Sequence, residues 1–141
     1  MNRKNNRGMK LLHAGMGLGM KAINIPRPVL FEGPGSSARL SEILEKEGRT
    51  RPLLVTSPGT VKREYFQKIM ESLLQNKLEP VVFSSVGSDP TTGIVKEIAG
   101  RYRDEECDCM IAIGGGSPMD AMKGAAALIA RPGKDLGSMQ G

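Results

Sequence analysis

The sequence predicts an α/β fold in which an open parallel sheet carries helices on both faces. Apolar runs of strand length alternate with segments whose apolar residues recur every three or four positions, as in buried strands followed by amphipathic helices. The strand runs are continuously apolar, which is typical of strands buried on both faces. Successive strand–helix units imply parallel strands joined by right-handed crossovers, and such sheets bind ligands at the carboxyl ends of their strands.

Four such units follow one another from Pro28 to the end of the chain. Gly48 is a predicted stop for the first helix, because glycine commonly follows the last helical turn. The predicted elements, in order, are a strand at 28–33, a helix at 37–48, a strand at 52–57, a helix at 60–76, a strand with its following loop at 80–90, a helix at 91–106, a strand at 108–113 and the helix after it.

The helices are assigned by the residues expected to face the sheet. In the helix at 60–76 these are Val61, Tyr65, Phe66, Ile69, Met70, Leu73 and Leu74. In the first helix they are Leu40, Ile43 and Leu44, and in the third they are Ile94, Val95, Ile98 and Tyr102. No apolar run approaches the roughly 20 residues that cross a bilayer, so no membrane span is expected.

The positive charge of the chain is concentrated at its amino terminus. The formal net charge is +5, from 20 Lys and Arg against 15 Asp and Glu, but no acid precedes Glu32. The six basic residues before it leave 14 bases against 15 acids, so the remaining chain is not a basic domain and no nucleic-acid partner is expected. We therefore predict a basic extension at 1–27 and one domain at 28–141. The extension lacks the uninterrupted apolar run and cleavage site of a signal peptide, and a cytoplasmic protein is expected.

Cys107 and Cys109 form a Cys-x-Cys pair that could in principle bind a metal or act as a redox couple. On an extended strand such side chains lie about 6.5–7 Å apart, too far for an unstrained disulfide. No second cysteine pair exists and the one histidine, His13, is distant in sequence. We interpret both cysteines as small buried side chains in a reducing compartment.

Three consecutive glycines, Gly114-Gly115-Gly116, stand where the fourth strand ends and a helix begins. Ser117 is the predicted N-cap of that helix, and Asp120 stands three residues later in a capping-box arrangement. A helix amino terminus offers unpaired N–H groups, and glycine lets a phosphate approach them. The alternative is a tight turn that needs positive φ angles, which one or two glycines could satisfy. The sequence therefore predicts a phosphate site that matches neither the G-x-G-x-x-G nor the P-loop pattern.

With GGGSPMDAMK at this junction, the chain resembles the amino-terminal domain of the iron-containing, or group III, alcohol dehydrogenases. The LLVT strand and the SDPT segment fit the family in order and spacing. The resemblance implies a Rossmann-like dinucleotide-binding domain of the dehydroquinate synthase-like fold. It also implies that Gly115, Gly116 and Ser117 receive the dinucleotide pyrophosphate. The place of Asp120 in the first helical turn predicts that this residue of the cofactor site caps the helix and orients the loop, and that it is not a catalytic acid.

Two positions depart from the family pattern. Many members carry Asp after the LLVT-like strand to hold the adenosine ribose, whereas this chain has Ser57. Losing an acid there removes a repulsion against the 2′-phosphate of NADP. Together with Lys62 and Arg63, Ser57 favours NADP slightly over NAD, unless both cations lie on a solvated helix face. Asp89 stands where the family commonly has Asn before Pro, which weakens the carry-over of that cofactor contact.

The resemblance implies an NAD(P)-dependent and metal-dependent dehydrogenase that interconverts small alcohols and aldehydes or ketones by hydride transfer. Family members are longer, and a helical second domain supplies one Asp and three His to Fe(II) or another divalent metal. With one histidine and a stop at Gly141, the chain is expected to lack that domain, to be incomplete at its carboxyl end and to hold no catalytic or metal-binding residue.

Two alternatives stay open, as does assembly into a homo-oligomer. Glycerol dehydrogenases and dehydroquinate synthases share the cofactor-domain architecture and would make the chain part of a zinc enzyme. A stand-alone nucleotide-binding module without catalysis is the other alternative, and its only argument is the chain length of 141 residues.

Overall fold

A computed structural model of the protein describes residues 32–131 and Gly133. The elements, in order, are a 3₁₀ turn at Ser36–Arg39, α1 (Leu40–Lys46), β1 (Pro52–Thr56), a 3₁₀ turn at Thr60–Lys62, α2 (Glu64–Gln75), β2 (Val81–Phe83), α3 (Thr92–Asp104), β3 (Cys109–Ile113) and α4 (Gly116–Ala130). The strand predicted at 28–33 falls mostly outside the described residues, and its last two positions, Glu32 and Gly33, are not in a strand.

The three described strands form a parallel sheet in the order β2-β1-β3. Leu53 in the central strand is in register with Val81 on one side and Met110 on the other. Since all three strands run in one direction, the turns that follow them meet at one edge of the sheet. The predicted parallel arrangement is confirmed.

Side chains of β1 alternate between two apolar clusters, one on each face of the sheet. Leu53 and Val55 pack with residues of α3 and α4, whereas Leu54 packs with residues of α1 and α2. All five residues of β1 are buried, which explains why its sequence is apolar without alternation. Helices on both faces of the sheet are therefore confirmed.

The helix predicted at 60–76 is interrupted near its start. A 3₁₀ turn at Thr60–Lys62 gives way to an extended Arg63, with φ −86° and ψ 143°, and α2 begins at Glu64. The prediction that Tyr65 and Leu74 face the sheet is wrong, because Tyr65 is 47% exposed and Leu74 is 58% exposed.

The buried residues of α2 explain those two errors. Phe66, Ile69 and Leu73 form a narrow stripe at a spacing of three and four residues. At 100° per residue, Tyr65 and Leu74 lie at opposite margins of that stripe. An apolar pattern records both margins as inward, whereas the sheet covers only the centre.

Asp108, which directly precedes β3, connects the segments at the edge of the sheet where the strands begin. Its carboxylate accepts hydrogen bonds from the backbone N–H groups of Thr50, at 2.6 Å, and Arg51, at 3.1 Å. The side chain of Arg51 in turn donates to Glu79 at 2.6 Å and to Glu105 at 3.2 Å. These contacts fix the chain segments that enter all three strands, at the edge opposite the turns that follow them.

Helices α3 and α4 approach each other closely at Gly124. A Cβ atom at this position would lie 3.0 Å from Cγ1 and 3.2 Å from Cγ2 of Val95.

Within the described part of the chain, no helix is both long enough and apolar enough to cross a membrane.

Candidate functional site

Two adjoining hollows open at the edge of the sheet where the strands end. The larger hollow, of about 1000 Å³, is lined by seven residues between positions 57 and 68 and by Gly114 and Gly115. The smaller hollow, of about 400 Å³, is lined by segments 57–58, 86–88 and 115–118. Ser57 and Gly115 line both hollows, so the turns after β1 and β3 form the boundary between them.

The three glycines after β3 have different structural reasons. Gly114 has φ 133°, and a Cβ atom there would lie 3.3 Å from Cγ of Pro118 and 3.4 Å from Oγ1 of Thr60. Gly115 has φ −87° and ψ −155°, an extended conformation open to any residue. A Cβ atom on Gly115 or Gly116 would meet nothing within 4 Å. The turn itself therefore requires glycine only at position 114, and the space beside the next two glycines is open.

Helix α4 begins earlier than predicted, so the prediction of Ser117 as its N-cap is wrong. Gly115 occupies the N-cap position and makes no side-chain capping bond, and the helix starts at Gly116. The hydroxyl of Ser117 instead donates to the carbonyl oxygen of Ser88 at 2.8 Å, which ties the loop after β2 to the helix start. The extended Gly115 turns the chain into the helix before Ser117 is reached.

The predicted capping box is wrong for the same reason, because Asp120 lies a full turn inside the helix. Its carboxylate is exposed and lies 3.7 Å from the ammonium group of Lys123. The first N–H groups of α4 thus have no side-chain cap, and a helix leaves these groups without an intrahelical partner. They are available to an anion in the adjoining hollows.

Hydroxyl groups fix the turn after β1. Thr56 Oγ1 donates to the carbonyl oxygen of Ile113 at 2.7 Å, which joins the ends of β1 and β3. Ser57 is partly buried, and its Oγ lies 2.9 Å from Oγ1 of Thr60. The backbone N–H of Thr60 donates to the carbonyl oxygen of Ser57 at 3.1 Å. Sequence reasoning missed Thr60, because only the assembled structure places this threonine next to Gly114.

Three charged side chains line the larger hollow: Arg63, Glu64 and Lys68. Glu64 and Lys68 form an ion pair at 2.7 Å on successive turns of α2. A hydrogen bond from Lys68 lowers the pKa of Glu64, and the same bond raises the pKa of Lys68. Arg63 makes no side-chain hydrogen bond or ion pair to any residue that the structure describes. Lys62, the other cation near Ser57, lines neither hollow.

The structure thus gathers four of the six predicted cofactor residues and leaves two aside. Ser57, Gly115, Gly116 and Ser117 line the hollows at the strand ends. Asp89 is exposed in the loop after β2, and neither it nor Asp120 lines either hollow. A contact from these two carboxylates to a cofactor stays a prediction.

The two cysteines have the character of structural residues. Both are free; Cys107 is buried and Cys109 is partly buried. Burial raises the pKa of Cys107, and burial together with the neighbouring Asp108 raises the pKa of Cys109 to about 12. Both thiols are therefore protonated at neutral pH. Among residues 32–131 and Gly133, no group of three His, Cys, Asp or Glu side chains could hold a metal ion.

The fold and the open helix start define a Rossmann-like domain. Residues 26–139 match the family described as iron-containing alcohol dehydrogenase. Because this match covers most of the sequence, the chain belongs to the iron-containing alcohol dehydrogenase family.

Relatives and solved structures agree with this assignment. The chain is 36% identical over 100 residues to a 4-hydroxybutyrate dehydrogenase of Cupriavidus necator, a match over 71% of this chain and 26% of the relative. It is 33% identical over 116 residues to a methanol:N,N-dimethyl-4-nitrosoaniline oxidoreductase of Amycolatopsis methanolica, covering 82% and 27%. An alcohol dehydrogenase from Oenococcus oeni superposes with a TM-score of 0.69 at 28% identity, covering 79% and 29%. The chain therefore spans about a quarter of the length of the relatives it matches.

Proposed function

We propose that this chain is the cofactor-binding part of an NAD(P)-dependent and metal-dependent alcohol dehydrogenase. Such an enzyme interconverts small alcohols and aldehydes or ketones by hydride transfer. The observation that carries the proposal is the open space at Gly115 and Gly116, where neither backbone conformation nor packing requires glycine. A ligand that approaches the backbone closely is a physical reason for two residues without side chains at a helix start.

A dinucleotide pyrophosphate fits the chemistry of this position. The start of α4 presents N–H groups without a side-chain cap, and the helix dipole favours negative charge there. The bond from Ser117 to Ser88 holds the loop after β2 beside these groups. In this family the GGGSxxD segment receives the pyrophosphate, which agrees with the chemistry of these residues.

The adenosine ribose would lie against the end of β1. Ser57 lines both hollows next to Gly115, so a dinucleotide with its pyrophosphate at α4 has the serine hydroxyl within its reach. This hydroxyl can bond a ribose hydroxyl or a 2′-phosphate and carries no charge that would repel the phosphate. The position therefore favours NADP slightly.

The described residues would bind and orient the cofactor and would take no part in proton or hydride transfer. A bound nicotinamide dinucleotide would supply the hydride carrier of the reaction. The described residues do not provide a set of His, Cys, Asp or Glu ligands that fits a metal ion. The family match favours an alcohol dehydrogenase over the glycerol dehydrogenase and dehydroquinate synthase alternatives, and no structural observation favours a module without catalysis.

Isothermal titration of the 141-residue chain with NAD⁺ and with NADP⁺ tests the proposal. We expect weak, saturable binding of at least one dinucleotide by the folded chain. We also expect no oxidation of simple alcohols when Fe(II) is added, because the described residues provide no metal site. A folded chain that binds neither dinucleotide would contradict the proposed cofactor role.

A further inference from the structure

We propose that Arg63 binds the 2′-phosphate of NADP and thereby gives this chain a preference for NADP over NAD. The inference rests on the proposed function, since it requires a dinucleotide in the hollows at the strand ends. It assigns the discrimination between the two cofactors to a side chain on the amino-terminal side of α2.

Arg63 is placed for this contact by the break in the chain before α2. Its extended conformation separates the 3₁₀ turn from the helix and places Arg63 in the wall of the larger hollow. Ser57 and Gly115 line the same hollow. Arg63 and a ribose beside Ser57 would therefore share one hollow.

Of the charged side chains described around the larger hollow, Arg63 is the cation that forms no ion pair with an acid. Among the described residues, Glu64 is the one acid in the lining, and its ion pair with Lys68 at 2.7 Å neutralises it. Arg63 has no such partner among the described residues. The hollow thus has a local excess of one positive charge, carried by a group whose planar donors suit a phosphate.

At position 57 this chain has a serine in place of the carboxylate that would repel a 2′-phosphate. A carboxylate at the end of this strand would bond the 2′-hydroxyl of NAD and repel a 2′-phosphate. Ser57 is neutral, and Thr60 holds its hydroxyl at 2.9 Å. A neutral hydroxyl and a guanidinium without a described partner thus line one hollow, and the guanidinium can form a charge-assisted contact only with the phosphorylated ribose.

Equilibrium binding of NADP⁺ and NAD⁺ to the 141-residue chain tests the assignment, with titration calorimetry as the readout. We expect Arg63→Gln to weaken NADP⁺ binding by about tenfold to a hundredfold and NAD⁺ binding by less than about threefold, because only NADP⁺ loses a charge-assisted contact. Arg63→Lys keeps the charge without the planar fork, and an intermediate loss is expected. Lys62→Gln is the matched control, since it removes one charge from the adjacent residue outside both hollows.

Several outcomes would overturn the inference. A wild-type chain without a preference for NADP⁺ would do so, as would an Arg63→Gln variant that loses both dinucleotides equally. An equal loss in Lys62→Gln would show that the general electrostatic field, rather than a contact, attracts the phosphate. In these cases the proposed function survives, because a dinucleotide still binds. Binding of neither dinucleotide to the folded wild-type chain would overturn both.

Discussion

Gly114 and Gly115 are neighbours that are glycine for different physical reasons. The backbone of Gly114 has φ 133°, where residues with a Cβ atom are strained, and its surroundings are tight. The backbone of Gly115 is extended and its surroundings are open. Structural and ligand-related causes of the glycine run can therefore be separated by changing one residue at a time.

We expect Gly114→Ala to lower the free energy of unfolding by about 1–3 kcal/mol, the usual cost of a strained backbone conformation. Gly115→Val should lower it by about 1 kcal/mol, because the extended backbone accepts a β-branched residue but valine is a poorer N-cap than glycine. The same valine should weaken NADP⁺ binding at least about tenfold, because its methyl groups occupy the space assigned to the pyrophosphate. Urea unfolding and titration calorimetry measure the two effects, and unchanged affinity in folded Gly115→Val would show that the pyrophosphate does not bind against Gly115.

Ser57 gives a second prediction at the scale of one residue. We expect Ser57→Asp to move the ratio of dissociation constants toward NAD⁺ by about tenfold to a hundredfold, since a carboxylate beside the 2′-phosphate adds like-charge repulsion. It would still accept a hydrogen bond from the 2′-hydroxyl of NAD⁺. Ser57→Asn has nearly the same shape without the charge and is the control. If the ratio stays within about twofold of the wild-type value in Ser57→Asp, the ribose does not lie at Ser57.

At the scale of elements, Asp108 links the segments before β1 and β3. Burial alone would raise the pKa of its carboxyl, but hydrogen bonds from the Thr50 and Arg51 amides outweigh burial and hold the pKa below its ordinary value. A group whose folded-state pKa is depressed contributes stability above its unfolded pKa. That contribution is lost as the pH falls through the folded pKa.

We therefore expect Asp108→Asn to lower the free energy of unfolding at neutral pH by about 1–3 kcal/mol. The difference from wild type should shrink on acidification below about pH 4 and approach zero once the native carboxyl is protonated. Asp104→Asn, at an exposed carboxylate at the end of α3, is the matched control and should show little change. Urea unfolding across this pH range measures the effect. A loss in Asp108→Asn that is independent of pH would show that the charge of Asp108 is not what joins the strands.

The elements differ in how far the sequence determines them. The apolar run of β1 and the helical spacing in α2 depend on burial, which acts through a simple period. The strand was predicted correctly, and the helix was predicted except for its start and its inward residues Tyr65 and Leu74. The start of α4 was not predicted correctly. Serine is a residue type that often caps a helix, but the hydroxyl of Ser117 donates to the carbonyl oxygen of Ser88, 29 residues away in sequence. Hydrogen bonds between distant loops compete with local capping, and no local pattern records which one prevails.

At the scale of the whole molecule, the sheet order brings distant segments to one site. The order β2-β1-β3 places the turn after β1 between those after β2 and β3, and the hollows are lined from all three. A chemical rule connects glycines at a helix start to a phosphate, and the family resemblance connects Ser57 to a ribose. The structure brings Ser57, Gly115 and Gly116 to the hollows, and their contact with a cofactor stays a prediction. Thr60 and Arg63 depend on packing, since only the folded chain places Thr60 next to Gly114 and Arg63 in the hollow that Ser57 also lines.

The central claim is that the pyrophosphate of a dinucleotide binds at the start of α4. The most direct measurement is a ¹⁵N NMR titration of the 141-residue, 15.1 kDa chain with ADP, compared with adenosine, which lacks the pyrophosphate. We predict that ADP shifts the amide signals of Gly115, Gly116 and Ser117 in a saturable way, and that adenosine leaves them nearly unchanged. Amide shifts confined to other parts of the chain, or equal shifts with adenosine, would contradict the claim.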